Sequence, residues 1–542
     1  MKKYVKKISL LAITAMLLTG MTACGNSPSS SNTQSDDSAS AQGSSQTAEN
    51  KPSKITVEIY DRSDTPEGGG SITDNYLTQY IADNFTKETN IEVEFVPIPR
   101  SSDADKLQVL MAGNSAPDIC FLYQRDRFFN YAMNGGLTEI TDDMLSQYAP
   151  DLVEFLGEDT MSYGKYDDKY YAIAAKRVLT NEHCSYIRQD LVEAVGMEMP
   201  TTVEEFYNVL KAIQEQDPAG VGSENVVPYG MHGNTTGTAA MNYYQLIHAF
   251  IDPNMSEEDL YVLPVELYPG AKEGFRFMNK MYNEGMISKD FALDDSAKQF
   301  NEDIIMGRTV FFSEDATKPL GLSSSSVLLN LQQNYPDATL VPIDTFMNSA
   351  GEYRKTMYAP VDKYIMIPKN SEEVAPQALQ YLNWLSQNLV AIKYGEEGVH
   401  YDMTDGIPVP KTDEEGLKRR DQDLWKANDT AIVVNGNYVG TEEENLEAYA
   451  NTFGPQKELA IMCYEQGMND AYSRPMFDQP IESESKYGAN LSKALQELVV
   501  KSIMCAPEEF DATFDSLEQE YYKAGGEKVI EEKRAAYQEM KK

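Results

Sequence analysis

The chain has 542 residues with 85 acidic against 46 basic side chains, a formal net charge of −39, which argues against nucleic acid or an anionic lipid surface as a partner. Apolar residues make up 42 % of it, enough for ordinary folded domains with large cores, and the length corresponds to about two or three domains. Acidity of this degree keeps a secreted protein soluble without identifying its ligand.

The N-terminus reads as an export signal. Lys2, Lys3, Lys6 and Lys7 precede an apolar run from Ile8 to Leu18 that is too short to span a bilayer and ends in small residues. Met21-Thr22-Ala23-Cys24-Gly25 then resembles a bacterial lipobox, with Met21 where Leu is usual. The resemblance implies that Cys24 is lipidated and heads the mature chain; the alternative is an ordinary secretory signal with an incidental cysteine. Residues 24–52 are rich in Ser, Asn, Gln, Thr and Ala and cannot bury enough surface to offset chain entropy, so they read as a flexible tether.

The body opens with an alternating strand, Ile55 to Tyr60, and a helical stripe of Tyr76, Leu77, Tyr80, Ile81 and Phe85. Ile91, Val93 and Phe95 alternate again, Leu107, Leu110 and Met111 mark a second helix with Gly113 placed to cap it, and Asp118 to Tyr123 reads as a third strand. Strand–helix–strand–helix–strand is the pattern of an α/β parallel sheet. Thr202 to Glu205 has capping-box spacing before Phe206, Val209, Leu210 and Ile213. A further helix carries Phe275, Met278 and Met281 and stops at Gly285. Short buried strands follow at Val310-Phe311-Phe312 and Tyr364 to Ile367, then a stripe of Ala378, Tyr381, Leu382 and Leu385 that also contains Trp384. Strands returning after a helical middle fit two lobes that share the chain discontinuously.

Several segments, in order, resemble family 1 extracellular solute-binding proteins. They are Lys106 to Ile119 with its Ala112-Gly113 and Pro117-Asp118, Tyr163 to Ile173, Ile187 to Phe206, Met281 to Ile287, Tyr394 to Gly406 and the tail from Phe510 to Met540. Ala174 stands where that family usually has proline. The nearest branch on these motifs is the long Gram-positive lipoprotein type that binds oligosaccharides. The resemblance implies a two-lobed periplasmic-binding-protein-like fold of type II, with crossover strands and a hinged cleft. It also implies capture of a carbohydrate for the permease subunits of an ABC transporter, with the chain a monomer on the outer face of the membrane and no cofactor. The expected organisation is a signal peptide over 1–23, a lipidated tether over 24–52 and a solute-binding domain over 53–542. Within it, lobe 1 takes 53–176 plus 308–362 and lobe 2 takes 177–307 plus 363–542.

The competing readings are a binder of a non-sugar solute such as a peptide, and a surface glycan-processing enzyme. His183, His232, His248 and His400 are scattered without metal-ligand spacing, and no nucleophile elbow or phosphate loop is present. With 85 carboxylates, a pair for glycoside hydrolysis carries no information. The cysteines Cys120, Cys184, Cys463 and Cys505 have no regular spacing, so paired and free states both stay open.

A sugar cleft needs aromatic faces for C–H surfaces and charged or amide groups for hydroxyls. In open α/β lobes ligands collect at the carboxyl ends of strands. That rule selects Asp61 and Arg62, Tyr123 and Arg125, and Phe312, Glu314 and Asp315. The alternatives are a turn-capping carboxylate for Asp61, surface ion pairs for Arg62 and Arg125, and a core position for Phe312. Arg177 after the Tyr171-to-Ala174 segment, Asn234 in a Gly/Thr-rich loop and Trp425 in a charged region complete the candidate set. For these three a purely structural role is the competing reading, because most loop residues bind nothing.

Overall fold

Ile55, Val57 and Ile59 place strand β1 (Ser53–Asp61) at the centre of the first lobe, where Glu58 and Tyr60 on the opposite face are buried as well. The strand therefore has both faces covered, a feature of parallel sheets flanked by helices. The computed structural model describes residues 53–233, 241–323 and 326–542. The leader, Cys24, the tether and Asn234 lie outside the described residues.

The chain continues through β2 (Ile91–Pro99), β3 (Cys120–Leu122) and β4 (Ala172–Arg177), then crosses to the second lobe. There it forms β5 (His183–Arg188), β6 (Val227–Gly230), β7 (Thr309–Asp315) and β8 (Leu340–Ile343). It returns through β9 (Lys355–Met357) to β10 (Val361–Met366) and β11 (Val434–Asn435) of the first lobe. A last strand, β12 (Ala471–Ser473), pairs in parallel with β9. In the first lobe β11, β4, β10 and β3 lie in that order, and β1, paired in parallel with β2, joins β3 through a bridge between Val57 and Ile119. The second sheet runs β8, β5, β7, β6.

This pairing corrects the expected lobe boundaries. β7, assigned to lobe 1 within 308–362, pairs with β5 in the second lobe, where Phe311 meets Phe206 at 4.6 Å. Helix α1 (Ala375–Gln387), assigned to lobe 2, belongs to the first: Ala378, Tyr381, Leu382 and Leu385 are all fully buried, and Tyr381 meets Phe85 edge-on at 5.3 Å. Strand partners hundreds of residues apart leave no trace in local periodicity.

Local signals fared better. Thr202 and Glu205 form the capping box of the helix Val203–Gln216, which buries Phe206, Val209, Leu210 and Ile213. The helix Ala271–Asn283 stops at Gly285, in a left-handed conformation with φ of 76°. Gly113 caps the helix Asp103–Ala112 as expected, its amide donating to Val109 O at 3.0 Å, and Asn114 behind it takes the left-handed position with φ of 49°. Asn tolerates that region because its short polar side chain bonds locally. Cys120, Cys184 and Cys463 are buried and Cys505 is half-buried, all as free thiols.

Asp118 is the joint between β1 and the entry to β3. Its Oδ2 accepts from the amide and the hydroxyl of Thr56, each at 2.8 Å, and its Oδ1 accepts from Ser371 Oγ at 2.6 Å. Asp118→Ala strands those donors and is expected to cost about 2–3 kcal/mol of folding stability. Chemical denaturation should show this loss while ligand affinity stays within about twofold; an unchanged midpoint would remove Asp118 from the scaffold.

A cleft between the lobes as candidate functional site

Three segments link the lobes side by side. Arg177 N donates to Pro360 O at 2.9 Å, Tyr358 N to Thr180 O at 2.8 Å and Val178 N to Asn435 O at 2.9 Å. Gly436 has φ of 107°, and a Cβ there would lie 2.9 Å from Val178 Cβ. Only glycine satisfies both the backbone and that approach. These crossovers form the floor of the cleft, and the strand ends on either side form its walls.

On the first lobe, fully buried Asp362 accepts from Arg177 Nη2 and from Asn435 Nδ2, the latter at 2.7 Å. Lys363 Nζ stands 3.6 Å from the same carboxylate. The Arg177 guanidinium lies 4.1 Å over the Tyr358 ring. Tyr60 and Tyr123 stack at 6.2 Å, with the Arg100 guanidinium 4.7 Å over Tyr123. Arg62 grips Asp429 through two guanidinium nitrogens at 2.8–2.9 Å. Lys426 Nζ lies 3.2 Å from both Asp429 and Asp64. Burial, with repulsion from Lys363 added, pulls the Lys393 ammonium down to about 8.

On the second lobe, Glu182 and His183 stand at the start of β5, and Asp315 at the end of β7 is 3.8 Å from His183 Nε2. The parallel register of β9 and β12 sets Ser473 opposite Met357, which brings Arg474 to the level of Tyr358. The Arg474 guanidinium lies 5.3 Å over Tyr244 and that of Arg354 5.1 Å over Tyr472. Tyr472 in turn meets His248 Nε2 at 3.2 Å, while His248 Nδ1 is 2.6 Å from Tyr244 O. Burial lowers the His248 pKa to about 4, so the ring is neutral and donates through Nδ1 to the carbonyl.

At the other end of the floor a cavity of about 940 Å³ opens between the lobes. Trp425, Tyr394, Asn428 and Asn437 reach it from the first lobe, and Tyr449 and Phe453 from the segment bound to the second. Aromatic faces interleaved with amides suit a ligand with apolar faces and a hydroxyl rim. Among the described residues no group of three or more His, Cys, Asp or Glu side chains could hold a metal ion.

The structure brings Arg62, Tyr123, Arg177, Asp315 and Trp425 to the walls of one cleft. It separates Asp61, Phe312, Glu314 and Arg125 from them. Asp61 Oδ1 accepts from Ser63 N at 2.8 Å, the turn-capping role. Phe312 is a correction: it is 1 % exposed and stacks on Tyr186 at 5.4 Å in the second core, because its side alternates away from the cleft. Glu314 shares that side and pairs with Lys318 at 3.1 Å, leaving Asp315 as the exposed acid of the two. Arg125 donates from Nη1 to Phe477 O and stacks over Phe129 at 4.9 Å, tying the first lobe to the segment after β12. Sequence reasoning missed Arg100, Asp362, Lys363, Tyr358, Lys393, Arg354 and Arg474, none of which carries a local signal beyond its charge or ring.

A family model described as a bacterial extracellular solute-binding protein matches residues 69–388. Among curated relatives, lipoprotein LipO of Bacillus subtilis (strain 168) is 23 % identical, over 84 % of this chain and 88 % of its own length. The polygalacturonan/rhamnogalacturonan-binding protein YtcQ of the same organism is 22 % identical over 84 % and 87 %. Among solved structures, alginate-binding protein AlgQ2 superposes with a TM-score of 0.65 at 18 % identity, covering 90 % of this chain and 98 % of that one. The Streptococcus pneumoniae substrate-binding protein FusA in complex with kestose gives 0.64 at 14 %, covering 90 % and 99 %. The shared architecture is the two-lobed, type II periplasmic-binding-protein-like fold.

Proposed function

Because the chain belongs to the bacterial extracellular solute-binding proteins, we propose that it captures an oligosaccharide between its lobes and presents it to the permease of an ABC importer. The observation that carries this reading is the interlobe cavity of about 940 Å³ with its mixed aromatic and amide lining. Relatives whose names specify polygalacturonan, fructooligosaccharide or carbohydrate transport support the same class of ligand. The lipobox-like Met21-to-Gly25 sequence supports attachment through Cys24 to the outer face of the cell membrane. The role is binding rather than catalysis, a reading supported by Asp429, Asp362 and Asp64 on the cleft walls each being engaged by a cation.

Trp425 offers a direct reporter, because the only other tryptophan, Trp384, is 6 % exposed in the first core. Calorimetry against a panel of oligosaccharides should find a binder whose addition changes Trp425 fluorescence and leaves the glycan chemically intact. Trp425→Ala should weaken that binding by about 10- to 100-fold, the equivalent of about 1.5–3 kcal/mol of lost aromatic burial. Release of shortened glycans would overturn the non-catalytic role, and silence across the whole panel would overturn the carbohydrate reading.

A further inference from the structure

The chain carries many more acids than bases, yet several cations at the cleft make no salt bridge. Among the described residues, Arg354, Arg474, Arg420 and Lys393 have no carboxylate within 4 Å, whereas Arg62, Arg100 and Arg177 at the cleft are each paired with one. Lys393 and Arg420 reach the large cavity, Arg420 donating only to Thr452 O at 3.2 Å. Arg354 and Arg474 stand at the opposite end, by the Arg177–Tyr358 pair. Arg474 is exposed and Arg354 half-buried, so both guanidinium groups can be reached by a ligand. Glu182 and Glu266 act on Arg474 through space, but neither reaches its guanidinium as a salt-bridge partner.

The geometry of Arg354 and Arg474 is specific. Each guanidinium has one face against a tyrosine ring, Tyr472 at 5.1 Å and Tyr244 at 5.3 Å, while neither donates to a protein carboxylate. Stacking fixes the plane of the fork and leaves its N–H edges for a planar, bidentate acceptor. The nearby His248 ring is neutral and already satisfied by Tyr244 O and Tyr472, so it does not compete. A 400 Å³ pocket lined by Arg474, Tyr244, Tyr268 and Lys533, with Glu266 and Glu484 also on its wall, continues beyond this point and leaves room for further sugar units.

We infer that the captured oligosaccharide is acidic, built with uronic acid units, and that Arg474 and Arg354 hold its carboxylates. The inference rests on the carbohydrate-binding reading above and narrows its ligand class. A sulfated sugar shares the anionic chemistry and is separated by the experiment.

The test uses the full-length protein and isothermal calorimetry with oligogalacturonate, oligoglucuronate and oligomannuronate. Each is set beside its methyl ester, with sulfated and neutral oligosaccharides as further arms. At least one uronate oligomer should bind 100-fold or more tighter than its methyl ester, and its affinity should fall as salt is raised. Arg474→Gln and Arg354→Gln should each weaken it by at least tenfold. Arg474→Lys, which keeps the charge but loses the fork, should recover only part of that loss. Circular dichroism of the variants checks that they remain folded. Esters or neutral glycans binding as tightly as the acids would overturn the acidic-ligand inference while leaving carbohydrate capture intact, and preference for the sulfated arm would overturn the carboxylate assignment. A uronate that binds both Gln variants like the parent would remove Arg474 and Arg354 from the site. Absence of binding in every arm would overturn this inference together with carbohydrate capture itself.

Discussion

Asp362→Ala is expected to cost about 3–5 kcal/mol of first-lobe stability, the penalty for leaving buried cations without their counter-charge. Asp362 has no exposed side-chain surface and joins three strand ends: Arg177 of β4, Lys363 of β10 and Asn435 of β11. Its loss would leave Arg177 held only by the Tyr358 ring and Lys363 facing Lys393. Since Arg177 begins the first crossover, ligand affinity should fall along with stability. Asp362→Asn keeps the acceptor and should lose roughly half as much. Guanidinium denaturation of the three proteins at pH 7 is the measurement, and a change below about 1 kcal/mol for the alanine variant would show that the cluster is not a structural hub.

Glu58→Gln is expected to act in the opposite direction and to depend on pH. Glu58 is buried in β1, where Oε2 accepts from Phe121 N at 3.0 Å and Oε1 has no hydrogen-bond partner. Burial pushes its pKa from 4.5 up to about 8. Between those values the folded protein retains a proton that the unfolded chain has released. The contribution of Glu58 to stability is therefore fully present below pH 4.5 and is lost as pH rises to about 8. Glutamine reproduces the shape and hydrogen bonding of the protonated acid without the titration. The variant should match the parent at pH 4.5 and exceed it at pH 8 by on the order of 1–3 kcal/mol. Unfolding free energies at both values decide this; an identical pH slope in the two proteins would mean that Glu58 is already ionised in the fold.

Local physics was legible wherever one segment sufficed. The capping box at Thr202 and Glu205, the buried stripe of Phe206, Val209, Leu210 and Ile213, and the stop at Gly285 follow from the chemistry of a few neighbouring residues. The cap at Gly113 is local too, with Asn114 behind it in the left-handed position. The strand-end rule selected Arg62, Tyr123 and Asp315, which stand beside the crossovers, but also Phe312, which lies in the core, and Glu314, which pairs with Lys318. The first five residues of β7 are all buried, with Phe311 in one core and Phe312 in another, so alternation along it does not announce which side meets the cleft.

The sequence by itself determined the acidic charge, the α/β character, the helices with their caps and, through ordered motifs, membership of a two-lobed binding family. Each of these depends on composition or on residues within a few turns of one another. The tertiary structure alone decided that β7 belongs to the second lobe and α1 to the first. It also decided that Asp362 joins three strand ends, and that Arg354 and Arg474 meet Tyr472 and Tyr244 beside a crossover. The reason is that strand pairing and ion pairing join segments far apart in the chain. The free energy of such contacts comes from register and from exclusion of water, and neither has a counterpart in local periodicity.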